Sequence, residues 1–309
     1  MKIPLVVIAG PTGVGKTATA VALAARIPIE VVSADSRQVY RGMDVATGKP
    51  TPAERAAVVH HLIDVADPDD TYHAARFRRD AAAAIVDIRA RGKLPVVVGG
   101  TGFYIRALLR GLDTAPPADP SFRRDLQAIA SQEGRPALHA RLAAVAPDLA
   151  RRLHPNDVVR VIRALELARA GVRTADGWRR AGDEYDVLYV GLTAERAALA
   201  RRLRERAAAM VVAGLLDEVR GLLAAGWDPT LPAMQGIGYR EFAAVVAGAS
   251  SPGEALRRMQ RDTVRYAKRQ WTWFAREPEI QWLDVGLAGG PEGAAAIIAE
   301  RARAGGFTG

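Results

Sequence analysis

The sequence contains no cysteine. That single absence excludes disulfides, thiolate metal sites and a cysteine nucleophile. Histidine is scarce: five residues, scattered except for the pair His60 and His61, and nowhere at metal-ligand spacing. No zinc site is expected. Aromatic residues make up only 6%. Long hydrophobic runs are also missing. The one near the start, within MKIPLVVIAG, covers about seven residues before a glycine turn. A bilayer span needs roughly 20, and no cleavage-site pattern follows. A soluble cytoplasmic protein without a membrane partner is therefore expected.

What is present is an ordinary globular balance. The 309 residues are 49% hydrophobic and 25% charged, enough to fill a real core in one large or two modest domains. Alanine is heavily used, which favours helix. The formal net charge is +9. Such an excess fits an arginine-preferring, GC-rich genome, or a polyanionic partner such as nucleic acid. Clustering of the charge decides between them.

Residues 3–9 form a continuous apolar run and predict a buried strand, with a helix over 16–27. IEVVS, residues 29–33, predicts a second strand ending at Asp35, residues 62–65 a third, and LPVVV, residues 94–98, a fourth. Between them residues 73–91 are helical, with Phe77, Ala81, Ile85 and Ile88 on one face. This alternation predicts an α/β fold, a parallel sheet covered by helices on both sides. The rhythm breaks at the proline-rich LDTAPPADPS. Helical segments without strands follow to about Gly171, and DVLYVGL, residues 186–192, returns as a strand. The economical division is a core of residues 1–113 and 184–309 interrupted by an all-helical insertion over 114–183. Residues 280–285 are the last expected strand.

GPTGVGKT, Gly10 to Thr17, fits G-x-x-x-x-G-K-[ST] and lies after an apolar strand and before a helix. Glycines there let backbone amides turn inward around phosphate oxygens, and the helix start adds its positive end. Lys16 supplies a mobile charge, and Thr17 a hydroxyl for Mg²⁺. A nucleotide hydrolase usually also ends a strand with an acid for the magnesium. Here LPVVV runs into Gly99, Gly100 and Thr101 instead. The missing carboxylate tilts the reading away from ATP hydrolysis.

Asp35 opens DSRQVY at the end of the second strand, where parallel sheets place their ligand crevice. Such a carboxylate either accepts a proton from an attacking group or caps the following turn. Ser36, Arg37 and Gln38 beside it offer a hydroxyl, a guanidinium and an amide to a base.

Helical bookkeeping sorts the positive charge. In the segment from Glu195, Leu199, Leu203 and Met210 set an apolar stripe, with Arg201 and Arg204 opposite. Arg206 falls within the stripe and Arg202 at its edge, so both are expected to face inward, toward a carboxylate or toward a phosphate. Over residues 254–276, Arg257, Arg258, Arg261, Arg265, Lys268, Arg269 and Arg276 map to one side. Leu256, Met259, Val264, Tyr266, Trp271, Trp273 and Phe274 map to the other. Glu254 is the only acid within the basic face, with Asp262 at its edge, so it reads as a nucleic-acid contact or a merely exposed face. In HPNDVVRVIRALE, Asn156 or Asp157 caps a helix. Its inner face is Val158, Val161, Ile162 and Leu165, while Arg160 and Arg163 point outward.

GPTGVGKT, DSRQVY, RGMDVATGKP, VVGGTGFY, HPND and QGIGYRE occur here in one order. That series resembles the bacterial tRNA dimethylallyltransferases, also called tRNA isopentenyltransferases, over nearly the whole chain. The resemblance implies a P-loop-like core with an inserted helical domain that embraces a tRNA anticodon stem-loop. It implies that the gripped phosphate belongs to dimethylallyl diphosphate, and that the prenyl group goes to the exocyclic amine of the adenosine just 3′ of the anticodon. Carried over residue by residue, it makes Asp35 the general base, with Lys16 and Thr101 beside it in catalysis. Gly10, Pro11, Thr12, Gly13, Val14, Gly15, Lys16, Thr17 and Arg202 would hold the diphosphate, with Thr17 on Mg²⁺. Asp35, Ser36, Arg37, Gln38, Thr101, Arg123, Val159, Arg160, Val161, Ile162, Arg163, Gln235, Gly236, Ile237, Gly238, Tyr239 and Arg240 would contact tRNA. The resemblance leaves Arg206 without a role. A monomer is expected.

Two rivals share the phosphate cradle. A prenyltransferase of free adenine nucleotides would need neither the insertion nor the basic face. A small-molecule kinase would consume ATP.

Overall fold

A computed structural model describes residues 2–112, 119–171 and 184–307. Its centre is β1 (Ile3–Ala9), whose residues from Leu5 onward are fully buried. A strand apolar on both faces belongs in the middle of a parallel sheet. The chain then runs through α1 (Lys16–Ala24), β2 (Ile29–Ala34), α2 (Pro52–Ala57), β3 (His60–His61), α3 (Ala74–Ala90), β4 (Leu94–Gly99) and α4 (Gly102–Arg110). Phe77, Ala81, Ile85 and Ile88 of α3 are all buried, as their spacing requires.

Four helices follow: α5 (Pro120–Gln132), α6 (Arg135–Val145), α7 (Pro147–Arg152) and α8 (Val158–Arg169). After them come β5 (Tyr185–Thr193), α9 (Arg196–Val212), α10 (Leu215–Ala224), α11 (Tyr239–Val246), α12 (Pro252–Phe274), β6 (Gln281–Asp284) and α13 (Gly290–Ala304). The six strands are ordered β3-β2-β4-β1-β5-β6 and all their pairings are parallel. Register pairs Ile8 with Val98 on one side of β1 and with Val190 on the other. The chain leaves β1 for β2 and β3, comes back through β4, and only then extends the opposite side. The strand order therefore reverses at β1, which opens a crevice at the carboxyl ends of β1 and its neighbours.

The third strand departs from expectation. Residues 62–65 are not extended: Leu62 and Asp64 adopt left-handed φ of 64° and 57°. The sheet instead takes only His60 and His61, opposite Val31 and Val32. Amides of Asp64, Val65 and Ala66 bond to the carbonyls of Gln38 and Val39, so this stretch pairs with the loop after β2. Asp64 is held there by Lys49 and by both terminal nitrogens of Arg55.

The chain divides into two units, Met1–Leu109 with Asp183–Gly309, and Arg110–Gly182. The insertion boundaries expected at 113/114 and 183/184 lie outside the described residues. In the smaller unit, α5 to α8 close around Leu126, Leu138, Leu142, Leu149, Val161, Ile162 and Leu165. Asp157, the cap of α8, accepts from the Arg160 amide, and Asp119 accepts from the Ser121 and Phe122 amides at the start of α5. Among the described residues, no helix is long and apolar enough to cross a membrane.

Candidate active site

The turn between β1 and α1 is built for close approach. Gly13 has φ +75° and Gly15 φ +110°, and Gly15 caps the start of α1. A side chain at Gly10 would meet the Leu192 carbonyl oxygen at 2.5 Å, so β5 presses directly on the loop. Lys16 folds back, its ammonium donating to the carbonyls of Gly10 (3.0 Å) and Pro11 (2.8 Å). Burial pulls the Lys16 pKa down to about 8; Asp35 opposes the shift and Arg206 adds to it. From α9, Arg202 donates to the Gly13 carbonyl at 3.2 Å. Arg202 is exposed, however, not turned inward as its angle predicts, and it reaches the loop with its tip.

This loop opens into a cavity of about 890 Å³ lined by Thr12, Gly13, Gly15, Lys16, Thr17, Asp35, Arg202 and Arg206. A second cavity of about 260 Å³ lies beside it, lined by Asp35, Ser36, Arg37, Arg206, Tyr266 and the loop from Gln235 to Arg240 without Gly238. Thr12, Asp35, Thr47, Arg206 and Met210 belong to both walls. Asp35 thus stands where a phosphate cradle meets a neighbouring chamber.

Asp35 caps the turn that follows it: its Oδ1 accepts from the amides of Arg37 (2.9 Å) and Gln38 (3.4 Å). The same bonds fix its plane while it faces both cavities. Thr101 lines neither. Its Oγ1 accepts from the Ser36 amide at 3.0 Å, and its own amide donates to the Ala34 carbonyl, so it braces the Asp35–Ser36 turn from behind. Gln38 lines the larger cavity only, and its amide nitrogen is taken up by the Thr47 and Gly48 carbonyls. Arg37 leans on the Pro232 and Ala233 carbonyls beneath the 235–240 loop. Tyr239 is buried with its hydroxyl on Glu218, and Arg240 is shared between Glu241 and Asp262.

Arg206 is half-buried and makes no ion pair among the described residues. Burial holds its pKa down, against the pull of Asp35 and Glu54. Gly48 makes room for it: a side chain there would meet Arg206 Nη2 at 1.8 Å. Tyr266, assigned to an apolar side from sequence, instead lines the smaller cavity, its phenol pushed up to about 12 by burial and by Asp35. It is a neutral hydroxyl at neutral pH. Lys49 is buried and donates to the Tyr40 carbonyl, to Asp44 at 2.5 Å and to Asp64, which anchors the far wall of the larger cavity. Neither Tyr266 nor Lys49 carried a sequence signal beyond its motif neighbourhood.

In the helical unit, Val161 and Ile162 sit in the hydrophobic core. That removes their side chains from any surface a nucleic acid could touch, a correction that follows from helical periodicity. Val159 is 79% exposed and Arg160 is exposed beside it. Arg163 does not point outward with Arg160. It donates to the buried Glu166, which Arg123 also engages with two bonds of 2.8 Å. Glu166 was not singled out in the sequence. Burial alone would raise its pKa, but the bonds from Arg123, Arg163 and the Asp119 amide hold it at about 2.

The basic face of α12 is exposed as expected, yet less free. Glu254 pairs with Arg258, and Asp262 collects Arg240, Arg261 and Arg265. Arg257, Lys268 and Arg276 remain exposed, and Arg269 lies over the Tyr266 ring at 5.7 Å.

A parallel sheet with a phosphate loop after its central strand, and a carboxylate at the end of the neighbouring chain segment, defines a P-loop-type enzyme. No acid follows β4 to complete a nucleotide hydrolase. The chain belongs to the IPP transferase family, whose description it matches over residues 38–277, and it also matches isopentenyl transferase over residues 3–65. It is 51% identical over 287 residues to tRNA dimethylallyltransferase 2 of Geotalea uraniireducens, covering 92% of this chain and 93% of that protein. It is 52% identical to the tRNA dimethylallyltransferase of Anaeromyxobacter dehalogenans, covering 90% and 94%. Among solved structures, the tRNA isopentenylpyrophosphate transferase of Bacillus halodurans aligns with TM-score 0.68 and 41% identity, covering 92% of this chain and 90% of that one. A eukaryotic dimethylallyltransferase acting on tRNA aligns with TM-score 0.72 and 28% identity, covering 92% and 74%.

Proposed function

We propose that this protein transfers the dimethylallyl group of dimethylallyl diphosphate to the exocyclic amine of the adenosine 3′-adjacent to the anticodon, in tRNAs reading codons that start with U. The products are N6-dimethylallyladenosine and diphosphate. The observation that carries the reading is the position of Asp35 in the wall shared by the phosphate-loop cavity and the smaller chamber. The family and its named relatives support the same reading.

In this mechanism the diphosphate lies on the loop from Gly10 to Thr17, and the adenine enters from the smaller chamber. A stacked base cannot reach an enclosed allylic carbon, so it is turned out of the anticodon loop. As the amine nitrogen bonds to the allylic carbon, the bond from that carbon to the diphosphate oxygen breaks, and Asp35 takes the amine proton. Negative charge grows on the departing diphosphate. Loop amides, Lys16, Arg202 and Arg206 surround it beforehand, and such preorganised charge is usually the largest catalytic term. Magnesium tends to keep its waters and take few protein ligands beside substrate phosphates. One hydroxyl, Thr17, at the cradle fits that habit, and an ion held there would neutralise diphosphate charge. Because tRNA is the acceptor, we assign the enzyme to the cytoplasm, acting as a monomer. In the larger unit the exposed basic face of α12 offers positive charge to the anticodon stem-loop, and the smaller unit exposes Val159 and Arg160.

The test is incubation with an anticodon stem-loop, dimethylallyl diphosphate and Mg²⁺, followed by nucleoside mass analysis. Asp35→Ala should lower kcat by roughly 10²–10⁴, the usual contribution of a general base, with stem-loop affinity little changed. Undiminished turnover in that variant removes Asp35 from the mechanism. Cleavage of ATP without prenyl transfer overturns the reading as a whole.

A further inference from the structure

We propose that Gln270 is a positioning residue that sets the spacing between the phosphate loop and the Asp35 turn. This rests on the prenyl-transfer reading above.

Gln270 is only 6% exposed, on a face of α12 it shares with Ala267 and Phe274. A buried amide with unmet bonds costs about 1–3 kcal/mol, so a glutamine on an otherwise apolar stripe needs partners. It has one at each end. The Thr12 amide donates to its Oε1 at 2.9 Å, and its Nε2 donates to the Gly100 carbonyl at 2.9 Å. These partners belong to the loops after β1 and β4, the two strands flanking the crevice. Gly100 leaves the space the amide needs, since a side chain there would meet Nε2 at 2.2 Å.

The chain of contacts continues. The residue after Gly100 is Thr101, which holds the Ser36 amide and donates its own amide to Ala34. One carboxamide therefore links the loop that grips the donor to the turn that carries the proton acceptor, through Gly100 and Thr101. Transfer requires the allylic carbon, the amine and the carboxylate in register, and a displacement of about 1 Å can lower a rate by roughly 10²-fold. Gln270 also borders the larger cavity, and in this scheme it acts by holding Thr12 and, through Gly100 and Thr101, the Asp35 turn.

The experiment compares wild type, Gln270→Leu and Gln270→Glu. Leucine keeps the bulk and removes both bonds; glutamate keeps the Oε1 acceptor for Thr12 and sets a second oxygen against the Gly100 carbonyl. Gln270→Leu should lower kcat roughly 10- to 100-fold, with less than about a threefold change in donor KM and stem-loop affinity, and Gln270→Glu should fall between it and wild type. Amide hydrogen exchange should quicken in residues 10–15 and 35–37 of Gln270→Leu while residues 3–9 stay protected. If Gln270→Leu does not fold, the kcat and exchange pattern of Gln270→Glu decide alone. Wild-type kcat in the folded variants, or a loss confined to KM, overturns the inference. Exchange that quickens throughout the sheet gives Gln270 a general structural role and overturns it too. A wild-type protein unable to prenylate the stem-loop overturns the functional reading first, and this inference with it.

Discussion

Lys16 shows how burial and function pull on one group. Its pKa of about 8 lies below the ordinary 10.5, chiefly through burial. Between about pH 8 and 10.5 the folded chain then holds fewer protons at this site than the unfolded chain, so this group's contribution to stability rises with pH across that window. In the proposed reaction donor binding follows the opposite course, because there the ammonium meets the diphosphate. The KM for dimethylallyl diphosphate should climb as pH passes about 8, while stem-loop affinity at constant salt should not share that inflection. A flat KM through pH 9 would show that Lys16 stays charged or does not meet the donor. Arg206 yields a companion prediction. Gly48→Ala places a methyl group in the space of its guanidinium, at a residue with φ +58°. Donor KM should rise about tenfold, as for an arginine contact worth about 1.4 kcal/mol. Combined with Arg206→Ala the two losses should not add, since each removes the same contact.

At the level of elements, α12 carries two jobs on two faces. Its inner face packs Ala267 on Leu199 and Leu203 of α9 and sends Gln270 to the phosphate loop. Its outer face keeps Arg257 and Lys268 exposed, beyond the arginines that Glu254 and Asp262 engage, and Arg276 is exposed just past its end. Replacing Arg257 and Lys268 with glutamine should weaken stem-loop binding. It should also reduce the slope of log affinity against log salt by about one for each phosphate contact removed, with donor KM unchanged. An unaltered slope would make this face plain solvent surface. Much of this was legible in the sequence because apolar spacing reports burial directly: Phe77, Ala81, Ile85 and Ile88 needed only a helical period. Cradle and carboxylate were legible because strand, glycine turn and helix are contiguous in the chain. Gln270 was not, since its partners lie 258 and 170 residues away. The third strand was misjudged because two left-handed residues, held by bonds to the 38–39 loop, override a short apolar run.

Across the whole molecule, two buried carboxylates each gather more than one basic side chain. Glu30 gathers Arg91, Lys93 and His61 beside β2 and β3, and Glu166 gathers Arg123 and Arg163 among the four helices. Burial would raise the Glu30 pKa, but its hydrogen bonds from Arg91, His61 and Lys93 bring it to about 2. Both acids therefore stabilise the folded state above the unfolded value near 4.5, and the contribution drains away as pH falls from there toward about 2. Thermal unfolding followed from pH 7 to 2 should steepen in that interval, and Glu166→Gln should flatten the part that belongs to the helical unit. An unchanged profile would mean that the arginines find water as good a partner. One last consequence concerns Gly99 and its neighbour. A side chain at Gly99 would stand 2.1 Å from the Ala34 carbonyl oxygen, and one at Gly100 would strike Gln270. A carboxylate introduced at Gly99 would collide with the main chain of β2, and one at Gly100 with the carboxamide of Gln270. Either acid could enter only if its neighbour gave way, the β2 backbone for the first and a movable side chain for the second.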